Sequence, residues 1–282
     1  MTTTLDYELA IRLVECLAAV GVIISSAEFL SNRGIFDDTN FMGWKVAQLR
    51  HPILRKEPLG KFLSLLNKNI IVYFLIVARI LAAVALFFAS YQQHLLRFIF
   101  DATIAFSLMA LMVRARYGRD GADKMMLIIF VAISISLVSG SKLATKACLF
   151  FIAGQACFSY FATGFAKANS QRWRKGKALI DIMSTSLWGN QNIAKMLVTR
   201  KWVALLITYS VITFESSFPL VLLVPSQIVL LFLSLGVLFH LANAFVMGLN
   251  CFLWVFVATY PAVLYTSELV SRYLSLHISS NL

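Results

Sequence analysis

The sequence predicts an all-α fold: a polytopic transmembrane helical bundle of about eight spans, with amphipathic helices at the membrane interface. Three observations predict it. First, 60% of the 282 residues are hydrophobic, 13% are charged and the mean hydropathy is +0.79; an ordinary soluble domain carries about 25% charged residues. Second, apolar runs recur along the whole chain at lengths near the ~20 residues that cross a bilayer. Third, Lys and Arg fall in alternate connections, as the positive-inside rule requires. The composition excludes a soluble globular enzyme, a disordered chain and a disulfide-rich secreted module.

The spans follow in order. The first covers about Ala10 to Leu30, interrupted by Arg12, Glu15 and Glu28. The second and third cover about Ile70 to Ser90 and Leu95 to Val113. The fourth, Met125 to Val138, is short for a span. The fifth is about Ala147 to Ala166, and the sixth runs from Trp202 to Val224, ending at Pro225. The seventh, Ile228 to Met247, and the eighth, Cys251 to Leu264, are separated only by Gly248-Leu249-Asn250.

Nineteen of the 25 Lys and Arg lie on one side of this arrangement, in Ser31–Asn69, Arg114–Lys124 and Lys167–Lys201. The other side carries Arg97, Lys142, Lys146 and Arg272. Both termini are therefore expected outside, and the net charge of +12 reads as a topology signal with no call for nucleic acid. Met1 to Glu8 contains no Lys or Arg, so no cleavable signal is expected. One transmembrane domain is expected over residues 1–282, with no soluble lumenal domain. The two long basic connections are expected to hold surface helices, at Lys175–Met183 and Asn192–Val198, flanked by Trp173, Trp188 and Trp202. Such a face is attracted to anionic lipid; an acidic partner is the other reading. Cys16, Cys148, Cys157 and Cys251 all sit in apolar runs and lack metal-site spacing, so no metal is expected.

An ionisable side chain inside a span costs about 2.5–3.5 kcal/mol on insertion scales, so each one needs a reason. Glu8, Arg12 and Glu15 share a helix face and are expected to pair there. Arg79 and Asp101, on consecutive spans, are expected to pair. Glu215 lies deep in the sixth span, in Phe214-Glu215-Ser216-Ser217-Phe218-Pro219. Pro219 frees the carbonyl four residues back, that of Glu215 itself, and broken helices at membrane depth line cavities. His240 lies within the seventh span with Asn243 one turn away on the same face. Lys167 ends the fifth span, where a lysine taken alone would snorkel to the interface. Gly154 and Gly164 point to close helix packing near it.

The stretch Ser159-Tyr160-Phe161-Ala162-Thr163-Gly164-Phe165-Ala166-Lys167, followed by Trp173-Arg174-Lys175-Gly176, resembles the Y-F-x-A-G-x-x-K … W-x-x-G pattern of the HTTM family. That family includes the membrane part of the vitamin K-dependent gamma-carboxylases. Glu215 to Leu220 is similar to the family's acidic residue followed by Phe-Pro. Phe239 to Tyr265, with His240, Met247-Gly248-Leu249, Phe252 and Tyr260-Pro261, is similar to its F-H … M-G-[LM] … F … Y-P segment. Gly118 to Asp123 resembles its Gly/Asp-rich loop. The resemblance thus covers about Gly118 to Leu264.

The resemblance implies that Lys167 is the base that deprotonates a quinone of the vitamin K hydroquinone type. It implies that His240 assists catalytically and that Glu215, Asn243, Trp173 and Asp123 line the substrate cavity; Arg79 and Asp101, outside the resemblance, are expected at that cavity as ionisable residues inside spans. Four departures weigh against a true carboxylase: no lumenal domain is expected, a family His is replaced near Asp123, the Lys-to-Trp spacing differs by one residue, and the charge count puts the loop that Lys167 begins on the cytoplasmic side whereas carboxylation is lumenal. The chain is more similar to short stand-alone bacterial members of the SdpB type, which mature a secreted peptide toxin with a partner protein. This implies a bacterial inner-membrane location, a precursor peptide and a partner maturation protein. The readings carried forward are a maturation enzyme or factor, a quinone-dependent gamma-glutamyl carboxylase-like enzyme, a non-enzymatic binding or immunity protein, and a transporter or channel. The last lacks internal repeats.

Overall fold

The computed structural model describes residues 5–38, 40, 42–50, 57–66, 68–114 and 121–279. Arg55, Lys56, Arg116 and Arg119 of the basic connections, and Gly118 to Asp120 of the family-like loop, lie outside the described residues. The described residues are helical, with no strand among them. Thirteen α-helices are found among the described residues: α1 (Tyr7–Ser31), α2 (Trp44–Arg50), α3 (Leu59–Leu66), α4 (Asn69–Phe88), α5 (His94–Arg114), α6 (Gly121–Ser139), α7 (Lys142–Asn169), α8 (Gln171–Arg174), α9 (Lys177–Met183), α10 (Gln191–Thr199), α11 (Lys201–Ser217), α12 (Ser226–Met247) and α13 (Asn250–Ser279). Eight of them are long and apolar enough to cross a membrane: α1, α4, α5, α6, α7, α11 with its 3₁₀ extension to Leu222, α12 and α13. The chain is thus an all-α polytopic bundle, and the eight expected spans each find a helix. The fourth is longer than its apolar run because Asp123 and Lys124 join its first turn. The eighth continues past Leu264 with Pro261 inside it. Gly248, with φ +70° at the end of α12, separates the seventh span from the eighth; that backbone conformation is open to glycine at little cost.

The chain divides into two compact units, Tyr7–Cys148 and Leu149–Leu282 with Met1–Asp6, the division falling within α7. In the first unit α1 packs on α4 and α6, and α5 on α4 and α6. Its core gathers Phe29, Phe36, Met42, Val72, Ile76 and Leu111. Large apolar side chains such as Phe74, Phe88 and Leu143 point outward, as a helix surface solvated by lipid tails requires.

Polar side chains knit this unit. Arg97 Nε lies 3.0 Å from Glu15 Oε1 and 3.1 Å from Oε2. Arg12 also pairs with Glu15 and donates to the carbonyls of Leu86 and Ala89, each at 2.9 Å. Arg114 donates to the carbonyls of Met42 and Phe36 and to Asn69 Oδ1. The expected pairing of Arg12 with Glu15 is therefore present, while Glu8 accepts from the Tyr7 hydroxyl.

Two expectations are corrected. Arg79 does not hydrogen-bond Asp101: its Nε donates to Ser26 Oγ at 2.7 Å and its guanidinium lies over the Phe29 ring, while Asp101 sits among Glu15, Arg97 and Arg12. Arg97 is not a loop cation, because α5 begins at His94 and turns Arg97 inward onto Glu15.

In the second unit α12 packs along α13, and the 3₁₀ turn at Phe218–Leu222 contacts α11, α12 and α13. The expected surface helices are α9 and α10. Their apolar faces bury Met183, Ala194 and Leu197 with Ala204 of α11, and Val246 and Met247 of α12 pack against them. Asn190 starts α10, its side-chain oxygen accepting from the amides of Asn192 and Ile193, which satisfies amides that the first turn leaves free. The cations Arg174, Lys175, Lys177 and Lys195 face outward.

Candidate functional site

Helix α7 carries one chemically distinct face. Tyr160, Thr163, Gly164 and Lys167 follow one another at spacings of three, one and three, which places all four on one side of a helix. Gly164 sets how near the next helix comes. A Cβ at this position would stand 2.6 Å from the Ser216 amide nitrogen and 2.9 Å from Glu215 Cβ, so only glycine lets α11 approach here. The approach brings Lys167 Nζ to 2.6 Å from Glu215 Oε1 and 2.5 Å from Oε2. Trp173, just beyond α7, covers the pair, with the ammonium 5.3 Å from its ring centroid, a cation–π contact.

Lys167 is therefore not a snorkelling lysine. Glu215 stands fourteen residues into α11 from Lys201, about 21 Å at ~1.5 Å per residue. The chain turns sharply just after Trp173. Gly176 has φ +68°, and a Cβ there would lie 3.4 Å from Ala204, so this glycine both reverses the backbone and seats it on α11.

The break expected at Pro219 is present: α11 stops at Ser217 and the chain continues as a 3₁₀ turn over Phe218–Leu222. Proline has no amide proton to continue the ladder. The change of winding lays Phe218 on Tyr160, ring centroids 3.9 Å apart and nearly parallel, and Phe214 meets the edge of the same ring. Glu215 lies between these two phenylalanines in sequence, so one turn supplies both the carboxylate and the aromatic wall.

Tyr160 connects the ion pair's helix to His240. Its hydroxyl lies 2.6 Å from His240 Nε2 and 2.9 Å from the Tyr260 hydroxyl. His240 stacks on Phe256, with centroids 4.6 Å apart and planes inclined by 13°. Gly236, one turn before His240 on α12, makes room for Tyr260: a Cβ there would overlap the Tyr260 hydroxyl and lie 3.5 Å from that of Tyr160.

The structure thus brings Lys167, Glu215 and Trp173 together, and places His240 beside Tyr160 on the same α7 face. Asn243 stands one turn beyond His240 and outside the Tyr160–His240–Tyr260 trio; its carbonyl accepts from the amides of Gly248 and Leu249 at the end of α12. Arg79, Asp101 and Asp123 belong to the other compact unit. Asp123 is buried in the first turn of α6, where a negative side chain complements the helix dipole. Sequence reasoning gave no role to Tyr160, Tyr260 or Gly236. The spacing of seven between Tyr160 and Lys167 was the available signal for the first of these.

Chemically, the Lys167–Glu215 pair can move a proton between an amine and a carboxylate without leaving a net charge in the bilayer. The trio adds a chain of groups that each donate and accept. Among the described residues, no group of three or more His, Cys, Asp or Glu could hold a metal ion. Comparison with known proteins finds no matching family model, no matching curated protein and no matching solved structure.

Proposed function

We propose that this integral membrane protein is a maturation enzyme or factor of the HTTM type, close in kind to the short SdpB-like members. On this reading it acts on a precursor peptide of a secreted product, with a partner maturation protein, from a bacterial inner membrane with both termini outside. Lys167 is the base. The observation that carries the reading is the pairing of Lys167 Nζ with both Glu215 oxygens beneath Trp173. The Lys167 side chain keeps 19% of its surface accessible and that of Glu215 keeps 5%. A lysine that passes its proton to the carboxylate becomes a neutral amine, and the remaining accessible surface is where a substrate proton is taken up. Water is scarce at that depth, which favours a base over its hydrated competitor.

A second reading, a quinone-dependent gamma-glutamyl carboxylase-like enzyme, is favoured by the aromatic surroundings. Phe214, Phe218 and Phe256 pack around Tyr160 and suit a flat ring, while Lys167 and His240 are the polar groups that would hold it. A bound hydroquinone would supply the oxidisable ring, and the protein's part would be to receive its proton on Lys167.

The test is Lys167→Ala in cells that carry the partner protein and a candidate precursor, with the mass of the secreted peptide as the readout. Loss of the mature mass, with unchanged membrane abundance and thermal stability, is expected. Full maturation by a normally folded Lys167→Ala chain would overturn the assignment and favour the non-enzymatic binding reading.

A further inference from the structure

The protons of the Tyr160–His240–Tyr260 trio can be counted. A neutral imidazole carries one N–H and each tyrosine one O–H, so three protons serve two hydrogen bonds: Tyr160 with His240 Nε2 at 2.6 Å and Tyr160 with Tyr260 at 2.9 Å. His240 is only 2% exposed, and its Nδ1 has no hydrogen-bond partner among the described residues.

Three arrangements of donation are possible; in one, Nε2–H and Tyr260 both donate to Tyr160, which strands the Tyr160 proton and the Nδ1 lone pair. Two others remain. If Nε2–H donates to Tyr160 and Tyr160 donates to Tyr260, the Tyr260 proton and the Nδ1 lone pair are both left over. If Tyr260 donates to Tyr160 and Tyr160 donates to Nε2, both hydroxyl protons are used and a single group remains, the Nδ1–H. Buried polar groups are seldom left unsatisfied, so the second direction is preferred.

We propose that Tyr160 and Tyr260 are positioning residues that hold His240 as its Nδ1–H tautomer, so that this proton is offered to an acceptor oxygen, carbonyl or carboxylate, of a molecule bound beside the Lys167–Glu215 pair. Phe256 fixes the plane of the imidazole by stacking on it. Gly236 fixes the hydroxyl of Tyr260, because no side chain larger than hydrogen fits between them. The ligand role of this proton rests on reading the Lys167 region as a functional site; the tautomer does not.

The experiment is nitrogen NMR on the full chain labelled with ¹⁵N-histidine in lipid nanodiscs. The chain has four histidines, and the resonances missing from a His240→Gln sample identify those of His240. The expected wild-type result is a protonated Nδ1 and an unprotonated, hydrogen-bonded Nε2. Tyr260→Phe removes the donor that commits Tyr160 to Nε2, and Gly236→Ala displaces that donor; each is expected to bring in a population with Nε2–H. A wild-type spectrum with Nε2–H, or with both nitrogens protonated, would overturn the proposal. So would an unchanged tautomer in a folded Tyr260→Phe chain. The wild-type spectrum decides even where a variant does not fold. The tautomer is read without activity, so its failure leaves the Lys167 base standing. An active Lys167→Ala chain would remove that base while leaving the tautomer in place.

Discussion

Each compact unit holds an ion pair built on a buried glutamate, and the two differ in what surrounds them. Glu15 and Arg97 have side-chain exposures of 0% and 1%. Around them nearly every donor has a fixed acceptor: Arg12 holds the carbonyls of Leu86 and Ala89, and Arg97 holds that of Tyr91. These carbonyls lie at the end of α4 and in the turn before α5, so the cluster ties three helices together by their ends. Lys167 and Glu215 hold no helix end. Lys167 keeps 19% of its side-chain surface accessible; an indole lies over it, and on the same α7 face two phenylalanines pack on a tyrosine that connects to a histidine. A closed network whose guanidiniums hold a carboxylate and helix-end carbonyls fastens a fold. A pair with one accessible partner and an aromatic wall is suited to exchange a proton with something that arrives.

The largest expected effect breaks the first pair. Glu15→Met leaves the buried Arg97 and the half-buried Arg12 without the carboxylate they share, and removing one partner of a buried pair costs about 3–5 kcal/mol. The melting temperature in detergent is expected to collapse, or the chain to fail to accumulate in the membrane. Replacing Glu15 and Arg97 together with Met is expected to recover much of the loss, since it removes both the carboxylate and one of the stranded cations. A small single-variant effect would mean that the network is not what fastens α1, α4 and α5.

How much of this could be read in the sequence follows from what each residue stood out against. The spans were legible because apolar runs of the right length have few other uses in a chain this hydrophobic. Glu215 was legible because a carboxylate in such a run is costly, and Pro219 because it cannot continue a helix. The partner of Lys167 was not legible. Lys167 closes an apolar run, and only the close approach at Gly164 shows that this end of α7 lies against the deep part of α11. Arg97 and Arg114 looked like loop cations because each stands near a turn; both are buried on carboxylate or carbonyl groups. Tyr160 and Tyr260 were lost against a background of 13% aromatic residues.

An intermediate effect is expected at the second pair. Glu215→Met removes a charge-assisted hydrogen bond, a contribution of about 1.5–3 kcal/mol. Lys167 can turn its ammonium toward its accessible side, so the loss should fall toward the lower end of that range. Peptide maturation, in contrast, is expected to disappear. A stability loss as large as that of Glu15→Met, with no separate effect on function, would make the two pairs equivalent and remove the distinction between them.

The smallest effect serves as the exposed reference. Asp38 and Lys45 are joined at 3.2 Å, with side chains 45% and 75% exposed. The hydrogen bond from Lys45 holds the Asp38 carboxyl below the usual carboxylate range. A group lowered on folding stabilises the folded state above its unfolded pKa, and that contribution is lost as the pH falls through the folded value. Asp38→Asn is therefore expected to cost well under about 1 kcal/mol near neutral pH and nothing at strongly acidic pH, with high salt erasing the difference. Melting curves of the variant and the parent between neutral and acidic pH test this. If they separate at neutral pH by as much as Glu215→Met does, burial is not what distinguishes the pairs, and the contrast between Glu15–Arg97 and Lys167–Glu215 would have to rest on their hydrogen-bond partners alone.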